Sequence, residues 1–150
     1  MRYSECSEGR VFILRLEEGE ILHEAVESFA FKNGISSATV IAVGGADAGS
    51  RLTVGPEMPL SSPVAPMHHV LDAPHELTGS GTIFSNTEGM PVLHMHCSCG
   101  RGNTSVTGCV RSGVKVWLVM EVVITELKGC KAKRVKDERS GFVLLSPDGK

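Results

Sequence analysis

The residues best suited to chemistry lie in Val92-Leu93-His94-Met95-His96-Cys97-Ser98-Cys99. If this stretch is a β-strand, alternate side chains point to opposite faces. One face then carries Val92, His94, His96 and Ser98, and the other carries Leu93, Met95, Cys97 and Cys99. Two residues of extended chain put the imidazoles about 6.6 Å apart along the strand. Both rings can then converge on one ion at metal–nitrogen distances of about 2.1 Å. A His-x-His strand is half a metal site and needs a third protein ligand. Cys109 is one candidate, because a turn at Gly100–Asn103 would bring its strand alongside the histidines. His23, the His68-His69 pair, His75 and Glu76 are others. Cys97 and Cys99 face away from the histidines and read as core residues, as free cysteines usually are. Cys6 and Cys130 lie in terminal regions and show no partner in the sequence.

Other chemistries find less support. No Gly-x-Ser-x-Gly elbow is present, and no pair of carboxylates has a spacing that suggests acid–base work. Gly44-Gly45 does not open a helix, so a phosphate-binding loop of the nucleotide-binding type is not indicated. Lys128, Lys131, Lys133, Arg134, Lys136 and Arg139 form a basic cluster beside Asp137 and Glu138. Such runs are ordinarily solvated surface. His23 falls off the apolar face of its segment and reads as a surface residue.

The elements that must position the histidines follow from periodicity. Val11 to Glu17 reads as a strand and is broken at Gly19. Glu20 to Asn33 places Leu22, Ala25, Val26, Phe29 and Ala30 at helical spacing and stops at Asn33-Gly34. Ser37 to Val43, Ala48 to Val54, Glu76 to Ser85, Val92 to Cys99, Ser105 to Val110 and Val114 to Leu127 read as further strands. Gly55 to Pro66 holds Pro56, Pro59, Pro63 and Pro66 and reads as a loop, because proline cannot donate to a sheet ladder. Short turns between strands favour antiparallel pairing. The expectation is an α+β single domain, with one main helix packed on a mostly antiparallel sheet of about seven strands.

Composition bounds the remaining possibilities. A chain of 150 residues, 41% hydrophobic, suits one domain. At this size about 70% of the unfolded surface can be buried without disulfides. The 15 Lys+Arg against 17 Asp+Glu leave a formal charge of −2. That argues against nucleic-acid binding by bulk charge, since such affinity comes from neutralising phosphates with a basic face. No run of about 18 apolar residues suggests a membrane span. The polar N-terminus and five unevenly placed cysteines read as a cytoplasmic protein with free thiols.

Several segments together resemble the PPC domain (plants and prokaryotes conserved, also written PCC), in its prokaryotic stand-alone form. They are Phe12-Ile13-Leu14-Arg15-Leu16-Glu17-Glu18-Gly19-Glu20, Phe29-Ala30-Phe31-Lys32-Asn33-Gly34-Ile35, Ala42-Val43-Gly44-Gly45-Ala46, Glu76-Leu77-Thr78-Gly79-Ser80-Gly81-Thr82-Ile83, the His-x-His strand, Val106-Thr107-Gly108, and Asp137-Glu138-Arg139-Ser140-Gly141-Phe142. The likeness spans a core of about Arg10 to Leu145 within a single domain, 1–150. It implies a strongly bent sheet and a homotrimer. It also implies a fold similar to that of acetolactate decarboxylase, a zinc enzyme.

Some prokaryotic members hold zinc through His-x-His and a third histidine on the neighbouring strand. Carried onto this chain, the ligands are His94, His96 and, in place of the third histidine, Cys109. The resemblance thus implies a divalent metal, zinc first, and a binding or regulatory role of the DNA-binding type that prokaryotic members are often assigned. DNA as a partner lacks its usual element: Gly100-Arg101-Gly102-Asn103 has neither the second Arg nor the Pro of an AT-hook. The alternative is a zinc-dependent lyase or hydrolase. Three protein ligands leave an open coordination position, and a small carbonyl substrate could be polarised there, with Glu76 or a loop histidine carrying a proton.

Overall fold

The computed structural model describes residues 1–58, 64–138 and 140–149. Its order of elements is β1 (Ser7–Glu17), α1 (Leu22–Lys32), β2 (Ser37–Ala46), β3 (Arg51–Pro56), β4 (Pro66–Val70), β5 (His75–Ser85), β6 (Pro91–Arg101), β7 (Thr104–Cys109), a 3-10 turn (Val110–Ser112), β8 (Val116–Lys128), β9 (Lys133–Lys136) and β10 (Val143–Ser146). Strands β1 to β8 form one eight-stranded sheet in the order β1-β8-β2-β5-β6-β7-β3-β4, and β9 and β10 form a separate hairpin. Every ladder in the sheet is antiparallel.

The α+β architecture agrees with the periodicity, with differences at three places. The strand expected from Ala48 begins at Arg51, because Ala48–Ser50 turns: the Ser50 N–H donates to the Asp47 carbonyl. Pro66, expected in a loop, opens edge strand β4, where a missing N–H is tolerated. The tail forms a hairpin that no short turn announces. Of the sequence expectations, Pro59 and Pro63 of the proline segment and Arg139 of the basic cluster lie outside the described residues.

Helix α1 buries Leu22, Val26 and Ala30, spaced by four residues along one stripe. Asn33 and Gly34 end it, Gly34 taking the left-handed conformation at φ +66° that a side chain would resist. The helix packs on the inner face of the sheet with Leu93, Met95, Val40, Val122 and Ile124, all essentially inaccessible. The Glu27 carboxylate accepts the backbone N–H of Leu93 at 2.8 Å, fastening the helix to β6 one residue before His94. At the far edge of the sheet, Arg10 closes on Glu126 through Nε at 2.8 Å and Nη2 at 2.9 Å.

Two glycines on β5 let β6 approach closely. A Cβ on Gly81 would lie 2.5 Å from the His94 carbonyl oxygen and 2.6 Å from the Met95 Cβ. A Cβ on Gly79 would lie 2.8 Å from the Cys97 Cβ. Neither site can accept a side chain without moving the strand that carries the histidines.

Candidate metal centre

Strand β6 alternates as its composition requires. Leu93, Met95, Cys97 and Cys99 are buried, while His94 is half-buried and His96 exposed on the opposite face. The Cys97 and Cys99 sulfurs lie 3.8 Å apart in the core, and their mutual contact together with burial keeps the Cys97 thiol protonated. They take no part in the histidine face.

The β6–β7 hairpin sets Cys109 directly opposite His96 in the ladder. Ligand atoms of His94, His96 and Cys109 all lie within 4.8 Å of one another. The two imidazoles meet edge to face, with centroids 5.1 Å apart and planes at 84°. Ligand atoms around a tetrahedral zinc are about 3.3–3.7 Å apart, given bonds of about 2.0–2.3 Å. Closing on an ion therefore needs side-chain movement of the order of 1 Å, within reach of rotamer adjustment. Two imidazoles and a thiolate are a zinc-type donor set. Burial first, and then the nearby charges of Arg134, Arg111 and His96, together lower the His94 pKa to about 4. His94 is thus neutral at neutral pH and offers a lone pair rather than a proton.

Among the described residues no other histidine, aspartate or glutamate joins this group. His68 lines the same cleft as His94 and Cys109, but its Nδ1 faces the hydroxyls of Thr53 at 3.3 Å and Ser112 at 3.4 Å. His69 is exposed on β4. His75 bonds the Ala73 carbonyl at 2.7 Å and, with Glu76, borders a separate depression beside Trp117. His23 departs from the expectation of a surface residue: its Nδ1 is enclosed without a hydrogen-bond partner. Cys6 and Cys130, partnerless in the sequence, lie near enough here for each to shift the other's titration.

The basic cluster also departs from expectation. Arg134 is 5% exposed, because β9 of the hairpin folds onto β5. There its Nη2 donates to the Thr82 hydroxyl at 3.1 Å, and the guanidinium lies over the Phe84 ring. The cleft that His94 and Cys109 line has a volume of about 550 Å³, and its walls include Pro66, Arg111, Arg134, Phe142 and Val143; His96 borders a separate depression. Sequence reasoning missed Arg134 and Arg111 as site residues. The only signal was their charge, and charge alone does not distinguish a solvated arginine from one folded under a hairpin.

An antiparallel sheet with one helix packed on one face and a His-His-Cys cluster on the other is the class of molecule defined here. Residues 3–128 match the Plants and Prokaryotes Conserved (PCC) domain, and the chain belongs to that family. The closing Asp137–Phe142 segment lies beyond the matched span. A plant- and prokaryote-conserved protein of Pyrococcus horikoshii is 26% identical, with a TM-score of 0.83 over 97% of this chain and 97% of that one. A metal-containing protein of Archaeoglobus fulgidus is 25% identical, with a TM-score of 0.84 over 97% and 99%. A candidate DNA-binding protein of Bacteroides thetaiotaomicron shares the fold at 18% identity and a TM-score of 0.76 over 95% and 98%. A comparison with curated proteins finds no match. No helix among the described residues is long and apolar enough to cross a membrane.

Proposed function

We propose that this chain is a metal-binding PCC protein that holds one divalent ion, zinc first, through His94, His96 and Cys109, in a binding or regulatory role. The supporting observation is the convergence of three zinc-type donor atoms within 4.8 Å on an open sheet face. The metal-containing relative from Archaeoglobus fulgidus supports the same reading. Zinc analysis of purified protein tests it. The expected result is one ion per chain in the wild type, with affinity lowered at least about 10-fold in His94→Ala and in Cys109→Ala. Unchanged zinc content in both variants overturns the assignment.

We place the assembly as a homotrimer. The support is a strip of exposed apolar side chains, Ile13, Ile41, Val43 and Val123, along β1, β2 and β8. Sedimentation gives the mass, and a monomer at micromolar concentration refutes it.

A second reading, a zinc enzyme acting on a small carbonyl compound, is favoured by the cleft of about 550 Å³ that His94 and Cys109 line. Bound zinc would supply Lewis-acid polarisation there. His94, His96 and Cys109 would hold the ion, and the apolar walls would limit access of water. DNA binding has weaker support. The net charge is −2, and Arg134 of the basic cluster is turned inward. Absence of a DNA complex at physiological salt and micromolar protein removes that role.

A further inference from the structure

Arg134 combines properties that seldom coexist in a finished structure. It is a permanent cation, 5% exposed, and its Nε has no hydrogen-bond acceptor. Burying a charge is costly unless it is paired and its donors are satisfied. Among the described residues the one hydrogen bond of its side chain goes to the neutral Thr82 hydroxyl, the Phe84 ring lies against it, and a second cation, Arg111, lies close enough for its charge to act on it. Among the described residues neither arginine forms an ion pair, and no carboxylate lines the cleft they share. Three other polar groups of the cleft are bonded to one another: Thr53 and Ser112 at 2.7 Å, with His68 completing the set. The missing partner is therefore an anion, and the place for it is beside Arg134.

We propose that the cleft binds a small organic carboxylate, its head group on Arg134 and Arg111 and its hydrocarbon part against Pro66, Phe142 and Val143. Arg134 and Arg111 both line the cleft, and a guanidinium offers parallel N–H donors that fit two carboxylate oxygens. Pro66, Phe142 and Val143 are exposed in the chain alone and would be covered by an apolar group of the ligand. The volume of about 550 Å³ falls within the usual range for small-molecule sites. His94 and Cys109 line the same cleft, so a second oxygen of the ligand would point toward the proposed ion. That last feature alone rests on the metal reading. A divalent ion held by one thiolate would leave the site more positive and strengthen the preference for an anion.

The test is calorimetric titration with isovalerate, a branched carboxylate, and with its neutral isostere isovaleramide. Both are run on zinc-loaded and on chelator-treated wild-type protein. Isovalerate is expected to bind saturably in both preparations, and the amide at least about 10-fold more weakly. Arg134→Gln is expected to abolish isovalerate binding while leaving zinc content unchanged. Arg134→Lys keeps the charge but loses the fork, and is expected to bind at least several-fold more weakly. Arg111 is exposed, so Arg111→Gln keeps the test open should Arg134 variants misfold; it too is expected to weaken isovalerate. Equal binding of acid and amide, no isovalerate binding to either preparation, or wild-type affinity in folded Arg134→Gln each overturns the proposal. Binding of inorganic phosphate in place of isovalerate overturns the carboxylate assignment. Arginine-dependent isovalerate binding in a protein that retains no zinc supports this proposal and refutes the metal reading, so the two fail separately.

Discussion

Gly81→Ala isolates the contact that holds the histidine strand in place. Gly81 is paired with Met95 across the β5–β6 ladder. A methyl group there would stand 2.5 Å from the His94 carbonyl oxygen, 2.6 Å from the Met95 Cβ and 2.7 Å from the Met95 Cα. These distances are roughly 1 Å inside ordinary contact. Two of the three atoms are backbone, so no rotamer change relieves the clash, and β6 must move away from β5. In a strand where the new side chain fits, Gly→Ala ordinarily stabilises by about 0.4–1 kcal/mol through the unfolded chain. Here overpacking reverses the sign, and the expected cost is about 1–3 kcal/mol. For a chain of this size that lowers Tm by roughly 2–12 °C. A strand shift of this order also exceeds the tolerance of about 0.2 Å on metal–ligand distances, so zinc affinity should fall about 10- to 100-fold.

Gly100→Ala on β6 is the control. Its added Cβ meets only the Thr104 carbonyl at 3.9 Å, and both stability and zinc affinity should stay near wild type. Thermal unfolding of metal-free protein and zinc competition against a chelating dye measure the two effects. A Gly81→Ala protein as stable and as zinc-avid as Gly100→Ala would refute the claim that close β5–β6 approach positions His94.

Further outcomes follow from the same geometry. Met95→Ala removes a fully buried side chain between helix and sheet and should cost about 2–5 kcal/mol in denaturant unfolding, with the zinc stoichiometry retained. Glu27→Ala removes the acceptor for the Leu93 N–H and should lower both stability and zinc affinity; an effect on neither argues against helix α1 as an anchor of β6. His94 in metal-free protein should titrate near pH 4 by NMR, and Arg134→Gln should raise that value. Because the folded-state pKa lies below that of the unfolded chain, the associated stability is complete above about pH 6.5 and is lost as pH falls toward 4. A His94 titration at 6.5 contradicts the buried, arginine-flanked placement. The Arg10 guanidinium holds Glu126 down at about 2, so that pair's contribution is present above about pH 4.5 and fades as pH falls toward 2. In Glu126→Gln the acid limb of the stability profile should flatten over that interval.

Local sequence was informative wherever a single periodicity governed the outcome. Leu22, Val26 and Ala30 define the buried stripe of α1 because a helix repeats every 3.6 residues, whatever surrounds it. The alternation in β6 separates His94 and His96 from Met95 and Cys97 for the same reason, and a short turn was enough to bring Cys109 alongside. The tail was not legible in this way. Lys133–Lys136 and Val143–Ser146 are each too short to carry a period, and their pairing is a choice among many partners. Whether Arg134 met solvent or the floor of a cleft depended on where that hairpin came to rest, some fifty residues away from Thr82 in the chain. Likewise nothing near Gly81 in the chain reveals that Met95 will press against it. Residue types and their repeats determined the helix, the strand faces and the donor pair. Tertiary packing alone decided the third donor's distance, the cleft beside it and the buried cation that lines that cleft, because those depend on contacts between segments that share no local signal.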